Sequence, residues 1–122
     1  MGVPAWEVVF ADLGEDEDAF DELAEDLTAR QVAQVQKQFN RLAQHGPALN
    51  GDYFDNVAGS RRGLREFRLR ADGVAIRFLY VLRERTFVML KGYRHSRRRD
   101  VDRHAPTAEA RLDEWEGQNE AH

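Results

Sequence analysis

The residues best suited to chemistry in this sequence are basic, and they fall on three short segments that are rich in β-formers. Alternate side chains of a β-strand share one face, so Arg68 shares a face with Arg70, and Lys91 shares a face with Tyr93. Arginines stabilise the charge that develops on a phosphate under attack, while His and Tyr side chains move protons. If the strand register aligns these faces, one side of a sheet presents a set suited to cleavage of RNA: Arg68, Arg77, Lys91, Tyr93 and His95.

The same residues also have ordinary structural interpretations. Arg68 and Arg70 are equally typical of solvated strand positions that pair with Glu66. A tyrosine at a strand end packs more often than it catalyses. The run of three arginines at 97–99 indicates an exposed tract that attracts phosphate without acting on it. We predict that the basic side chains around the cleavage set bind RNA: Arg65, Arg70, Lys91, Arg94, Arg97 and Arg98.

Charge is distributed unevenly along the 122 residues. The net charge is −4, from 18 Lys and Arg against 22 Asp and Glu. Residues 61–104 contain fourteen bases and five acids, a net of +9, whereas residues 1–30 contain ten acids and one base. A basic segment of this kind is an electrostatic footprint for a polyanion. The alternative is that an acidic helix simply neutralises a basic sheet within one fold.

Several classes of chemistry are excluded by composition. Cysteine is absent, which removes disulfides, cysteine-ligated zinc and cysteine nucleophiles. The four histidines lack metal-ligand spacing, and neither GxGxxG nor a Walker loop occurs, so we expect no metal and no cofactor. The longest apolar run, residues 78–82, is too short to cross a bilayer, and no secretory signal is visible. We therefore expect a cytoplasmic protein that does not engage membranes.

Hydrophobic periodicity predicts one α+β domain over residues 1–122. The predicted fold is a small, mainly antiparallel sheet of about four strands, packed on an N-terminal helical hairpin and followed by a C-terminal helix. Residues 1–46 would supply a strand and the hairpin, 64–93 a three-stranded sheet, and 105–116 the last helix, which Pro106 can start. The boundaries that the pattern predicts are strands at 6–10, 64–70, 74–82 and 86–93, helices at 16–27 and 28–46, and a loop at 47–63.

The apolar residues of these elements repeat on single faces, which predicts the core. Phe20, Leu23 and Leu27 follow the helical spacing of i, i+3 and i+7. Thr28 with Gln31 three residues later indicates a capping box at the start of the second helix. The predicted core is Val8, Phe10, Phe20, Leu23, Leu27, Val32, Val35, Phe39, Leu42, Leu69, Ile76, Phe78, Tyr80, Val88 and Leu90.

Three motifs in the basic segment resemble those of a known toxin superfamily. They are GLREFR at residues 63–68, RFLY at 77–80 and VMLKGY at 88–93, with Gly73 between the first two. Their order and spacing resemble the RelE/ParE superfamily, and within it the HigB-like, phage Gp49-like branch of type II toxin–antitoxin systems. The resemblance extends over residues 6–116 in element order.

The resemblance implies an activity and two partners. It implies a toxin that cuts mRNA without a metal, usually on the ribosome. It also implies a cognate antitoxin that inhibits the toxin, which in the HigB-like branch is usually a helix-turn-helix protein. On this basis we predict a metal-independent endoribonuclease, or mRNA interferase, in which Arg68 and Arg77 hold the phosphate. Tyr93 or His95 would move the proton, and Lys91 would help electrostatically. The family often has Lys-Lys where this chain has Arg94-His95, so the proton carrier stays open.

Two alternatives remain from the sequence. A ParE-like toxin that inhibits gyrase without cleaving RNA, or a plain nucleic-acid-binding module, would fit the same charge pattern. Tyr93 and His95 after the last strand favour cleavage over both. An antitoxin could cover the basic segment directly, or it could dock a basic segment on the acidic residues 15–26. We expect the second arrangement, because the ten acids of residues 1–30 offer a docking surface.

Overall fold

The chain folds into a five-stranded sheet with helices on both faces, as described for residues 5–49, 53–57 and 62–120 by a computed structural model. The predicted α+β class is confirmed. The elements in chain order are β1 Glu7–Phe10, β2 Asp12–Gly14, β3 Glu17–Asp18, α1 Ala19–Ala24, α2 Ala29–His45, a 3-10 turn Gly46–Ala48, β4 Phe54–Asn56, β5 Arg65–Ala71, β6 Val74–Arg83, β7 Thr86–Arg94 and α3 Asp100–Glu120.

The sheet has the strand order β1-β7-β6-β5-β4. The pairs between β4, β5, β6 and β7 are antiparallel, as their short connections predict. The edge strand β1 instead runs parallel to β7, with Val8 opposite Phe87. The first strand, β1, therefore forms one edge of the sheet beside the last strand, β7. Strands β2 and β3 form a separate two-stranded hairpin.

Helix α2 covers one face of the sheet and begins where the sequence predicts. Its capping box is present, because Gln31 N–H donates to Thr28 Oγ1 at 3.1 Å and Thr28 N–H donates to Gln31 Oε1 at 2.9 Å. The ring of Phe39 packs at 5.6 Å from Phe67 and 5.2 Å from Phe78, measured between centroids. These contacts join α2 to the two central antiparallel strands.

The predicted boundaries are wrong at three places. The first helix starts at Ala19 rather than at residue 16, because Glu15 and Asp16 take left-handed φ angles of 54° and 63° in the β2–β3 turn and Asp18 caps the helix. The predicted loop at 47–63 contains β4, which forms by pairing with β5 rather than through local preference. Residues 50–52 and 58–61 of that loop lie outside the described residues.

The last helix also starts earlier than predicted. Proline is common at the first helical position, but here Pro106 is inside α3, which begins at Asp100. The Asp100 carboxylate accepts the N–H groups of Ser96 at 2.8 Å and Arg97 at 2.8 Å. These hydrogen bonds start the helix at Asp100, six residues before the proline.

Most of the predicted core is buried. Val8, Phe10, Phe20 and Leu27 are only partly buried against it, as is Val32. The prediction missed residues on the second face of the sheet, such as Leu79 and Val81, which are fully buried. Because α3 packs there with Ala108 and Leu112, β6 is buried on both faces and does not show a simple alternation.

A partly buried ion cluster holds α1, α3 and β7 together. The carboxylate of Glu22 accepts from Arg111 at 2.7 and 2.9 Å and from Lys91 Nζ at 3.1 Å. Arg111 also donates to the carbonyl of Leu90 at 2.8 Å. Helix α3 is thereby fixed over β7, while Arg68 and Arg70 on β5 remain outside its cover.

Candidate active site

Three predicted site residues form a row across neighbouring strands. In the register of the sheet Arg68 lies opposite Arg77, and Arg77 lies opposite Tyr93. Directly opposed residues of a sheet point to the same face, which is here the face that α3 only partly covers. The register therefore places three of the predicted site residues, Arg68, Arg77 and Tyr93, on one face of the sheet.

Glu66 ties the two arginines of this row together. Its Oε1 lies 3.3 Å from Arg77 Nε and 3.7 Å from Arg68 Nε. The side chain of Glu66 is only 13% exposed and that of Arg77 17%, so this ion pair is shielded from solvent. Burial lowers the pKa of Arg77, yet a guanidinium keeps its charge in proteins. On the outer side Arg68 also pairs with Asp55 of β4.

Tyr93 is buried with a free hydroxyl. Its residue is 4% exposed, and its oxygen has no hydrogen-bond partner within the described part of the chain. Burial raises the pKa of Tyr93 far above its usual value, and the nearby Glu66 raises it further. The ring stacks on His104 of α3, with centroids 4.3 Å apart and planes at 20°. Tyr93 is therefore a neutral phenol at physiological pH, and in proton transfer it can act as an acid but not as a phenolate base.

His95 lies at the end of the row. Its N–H donates to the carbonyl of Ala75 at 2.9 Å, which extends the β6–β7 ladder by one residue. Its Nδ1 is 4.0 Å from Asp100 Oδ2, and the centroids of the His95 and Tyr93 rings are 6.4 Å apart. The N–H groups of Ser96 and Arg97 lower the pKa of Asp100, which keeps this carboxylate charged beside the histidine.

The other predicted residues are dispersed. Lys91 is bound to Glu22 and is 17% exposed, so it belongs to the ion cluster rather than to the row. Arg65 lies opposite Tyr80 and shares the face of Phe67, away from Arg68. Arg94 alternates with Tyr93 and so points to the opposite face, where it is exposed. The fully accessible bases beside the row are Arg70 on β5 and Arg97 and Arg98 in the turn before α3.

Four residues near the row were not predicted from the sequence to belong to the site. Glu66 was visible only as an ionic partner, although its i, i+2 spacing with Arg68 already places both on one face. Asp55 and Asp100 meet the row through a strand and a turn that no local pattern indicated. His104 reaches Tyr93 only because α3 begins early. Within residues 5–49, 53–57 and 62–120, no cluster of three or more acidic or histidine side chains could hold a metal ion.

Comparison with known proteins assigns the chain to a family. The model of the phage-derived Gp49-like protein family matches residues 20–113, which include both sides of the arginine row. The chain therefore belongs to the phage-derived Gp49-like family. No curated protein matches the chain. No solved structure matches it either. Among the described helices, none is long and apolar enough to cross a membrane.

Proposed function

We propose that this protein is the toxin of a type II toxin–antitoxin module and that it cleaves mRNA bound to the ribosome. The observation that carries the proposal is the row of Arg68, Arg77 and Tyr93 on one partly open face. Membership of the phage-derived Gp49-like family supports the proposal. The resemblance of the three sequence motifs to those of HigB-like toxins supports it as well. The ribosome would position an mRNA that so small a protein cannot position alone.

The proposed chemistry assigns one role to each of these side chains and to His95. Arg68 and Arg77 bind the non-bridging oxygens of the scissile phosphate and stabilise the added charge of the pentacoordinate state. His95 takes the proton of the ribose 2′-OH, whose oxygen then forms the new bond to phosphorus. Tyr93, which remains protonated, donates to the departing 5′-oxygen. The products are a 2′,3′-cyclic phosphate and a free 5′-OH, with no net redox change and no metal.

Glu66 has a positioning role in this mechanism. A guanidinium that is held at its Nε by a shielded carboxylate keeps its remaining N–H groups in a fixed orientation. The phosphate then meets arginines that are already oriented, which saves the cost of ordering two long side chains. Asp55 does the same for the outer edge of Arg68.

Primer extension on cellular mRNA after induction tests the proposal. We expect discrete mRNA cuts whose downstream fragments begin with a 5′-OH and whose upstream fragments end in a 2′,3′-cyclic phosphate. DNA breaks without mRNA cuts would instead identify the gyrase-inhibiting alternative, and binding without either kind of cut would identify a nucleic-acid-binding module. Arg77→Ala is the matched inactive variant.

A cognate antitoxin is the partner that a ribonuclease toxin requires, and we propose that it docks on the acidic surface around α1. A side-chain hydrogen bond with Glu25, followed by repulsion from the charge of Glu25, raises the pKa of Glu17 there. Glu22 is not part of that surface, because it is used by Arg111 and Lys91. Glu25→Lys with Asp26→Lys should weaken antitoxin binding and spare toxicity, whereas loss of binding with Arg70→Ala would indicate direct blocking of the site.

A further inference from the structure

A cleft opens beside the arginine row at the edge of β5. Its volume is about 350 Å³, and it is lined by Gln38, Tyr53, Arg68, Leu69, Arg70 and Arg77. That volume is within the range of small-molecule sites, which begins near roughly 300 Å³. The cleft joins the two phosphate-binding arginines to α2, an element that the proposed mechanism does not use.

The polar groups of the cleft are predominantly hydrogen-bond donors. Arg41 donates to the Oε1 of Gln38 at 3.5 Å and to the hydroxyl oxygen of Tyr53 at 3.4 Å. Each of these oxygens thus already accepts one hydrogen bond and keeps one further lone pair, while the Gln38 amide N–H₂ and the Tyr53 O–H proton add donors to those of the three lining arginines. Arg70 uses Nη1 for the carbonyl of Gly73 at 3.0 Å and retains further N–H donors.

The rest of the cleft suits a flat, partly apolar group. Leu69 is 3% exposed and contributes an apolar surface between the polar groups. The Tyr53 ring is fixed by the Phe67 ring, at 5.9 Å between centroids, and by the Arg41 guanidinium above it. Single-stranded RNA is commonly recognised by placing an unstacked base in such a pocket and reading its edge.

We infer that this cleft binds the nucleobase next to the scissile phosphate and selects guanine or uracil over adenine or cytosine. The inference rests on the proposed function. Guanine O6 and N7 and uracil O4 are acceptors, whereas adenine and cytosine present an exocyclic amino donor at the corresponding position. An amino group placed against the donors of Gln38, Tyr53 and Arg70 loses its own hydrogen bond and leaves theirs unmade.

The test compares cleavage of synthetic mRNAs in ribosome complexes. The messages differ at one nucleotide beside a single cut site, which is guanine, inosine, uracil, adenine or cytosine. Inosine keeps the O6 and N7 acceptors of guanine and lacks only its amino group. We expect guanine, inosine and uracil to be cut at least tenfold faster than adenine and cytosine.

Variants connect the preference to the cleft. Gln38→Leu and Tyr53→Phe should each reduce the preference severalfold by slowing cleavage of the guanine message more than that of the adenine message. Gln36→Leu, which is on α2 but outside the cleft, should leave both rates unchanged. A preference that Gln38→Leu and Tyr53→Phe both leave intact, or its absence in the wild type, overturns the inference and leaves the ribonuclease standing. If the wild type cuts no message, the proposed function fails and the inference fails with it.

Discussion

The Oε1 of Glu66 lies 3.3 Å from the Nε of Arg77, across neighbouring strands and two positions along the register. This contact makes the arginine row a preorganised structure rather than a collection of surface charges. Solvent-exposed ion pairs contribute little to stability, but both side chains here are mostly shielded. If the row binds phosphate as proposed, Arg77 would contact the phosphate and Glu66 would orient Arg77, so variants of the two residues should behave differently.

Arg77→Ala should lower cleavage by about 10²- to 10³-fold, because it removes a donor to the developing phosphate charge. Glu66→Gln keeps the shape of the orienting side chain and loses its charge, so a smaller loss of about tenfold is expected. Single-turnover cleavage on programmed ribosomes measures both, with the melting temperature as a check of folding. Wild-type rates in folded Arg77→Ala would remove Arg77 from the site.

Tyr93→Phe distinguishes a proton donor from a packing residue. The hydroxyl has no partner within the described part of the chain, and an unsatisfied buried group costs about 1–3 kcal/mol. The variant should therefore be at least as stable as the wild type, while cleavage falls by about 10²-fold or more. Urea unfolding and the cleavage rate are measured on the same preparation. Unchanged cleavage would show that the phenol only packs against His104.

Glu22→Gln should destabilise the fold by about 1–2 kcal/mol, because it removes a charged partner from Arg111 and Lys91. The Arg111 guanidinium, followed by Lys91, holds the pKa of Glu22 below its ordinary value of 4.5. A carboxyl with a lowered pKa stabilises the folded state above pH 4.5, and that contribution is lost as the pH falls through the folded-state pKa. The difference from wild type should accordingly shrink toward pH 3.

Urea unfolding from about pH 7 to pH 3 measures this difference. Glu114→Gln is the matched control, since Glu114 is an exposed residue of α3 that forms no ion pair with the described residues. It should follow the wild type at every pH. A Glu22→Gln curve that runs parallel to the wild-type curve over the whole range would contradict the assignment of this pH dependence to the ion cluster.

Gly92→Ala should destabilise the sheet by about 1–3 kcal/mol, the usual cost of overpacking. A Cβ at Gly92 would lie 2.5 Å from Cζ of Phe78, which is fully buried and opposite it in register. Gly117→Ala on α3 is the control, because no described atom lies within 4 Å of its Cβ position and alanine favours helix. It should be neutral or stabilising in thermal unfolding, and equal effects of the two changes would refute the packing argument.

The sequence predicted the row because its signals are local. β5, β6 and β7 are joined by short turns, so their alternation and antiparallel pairing follow from neighbouring residues. The capping box of Thr28 and Gln31 is likewise complete within four residues. The strand order was therefore predictable. Only the register, which places Arg68, Arg77 and Tyr93 side by side, had to come from the structure.

What the sequence did not predict depends on distant partners. β4 exists because it pairs with β5, and Asp55 reaches Arg68 only through that pairing. Lys91 shares the strand and phase of Tyr93, yet Glu22 draws its side chain into a different cluster. The start of α3, and with it the His104 stack, is set by the Asp100 carboxylate and two backbone N–H groups. Nothing in the sequence distinguishes Asp100 from the other aspartates.

The parallel pairing of β1 with β7 determines when the sheet can be completed during synthesis. Glu7 is synthesised well before its partner Thr86, from which most of the described chain separates it. Pairing over such a separation forms slowly and late in folding. A nascent chain that stops before Tyr93 lacks both the closing partner of β1 and the last member of the row. Truncated products of interrupted translation should therefore be harmless to the cell that makes them.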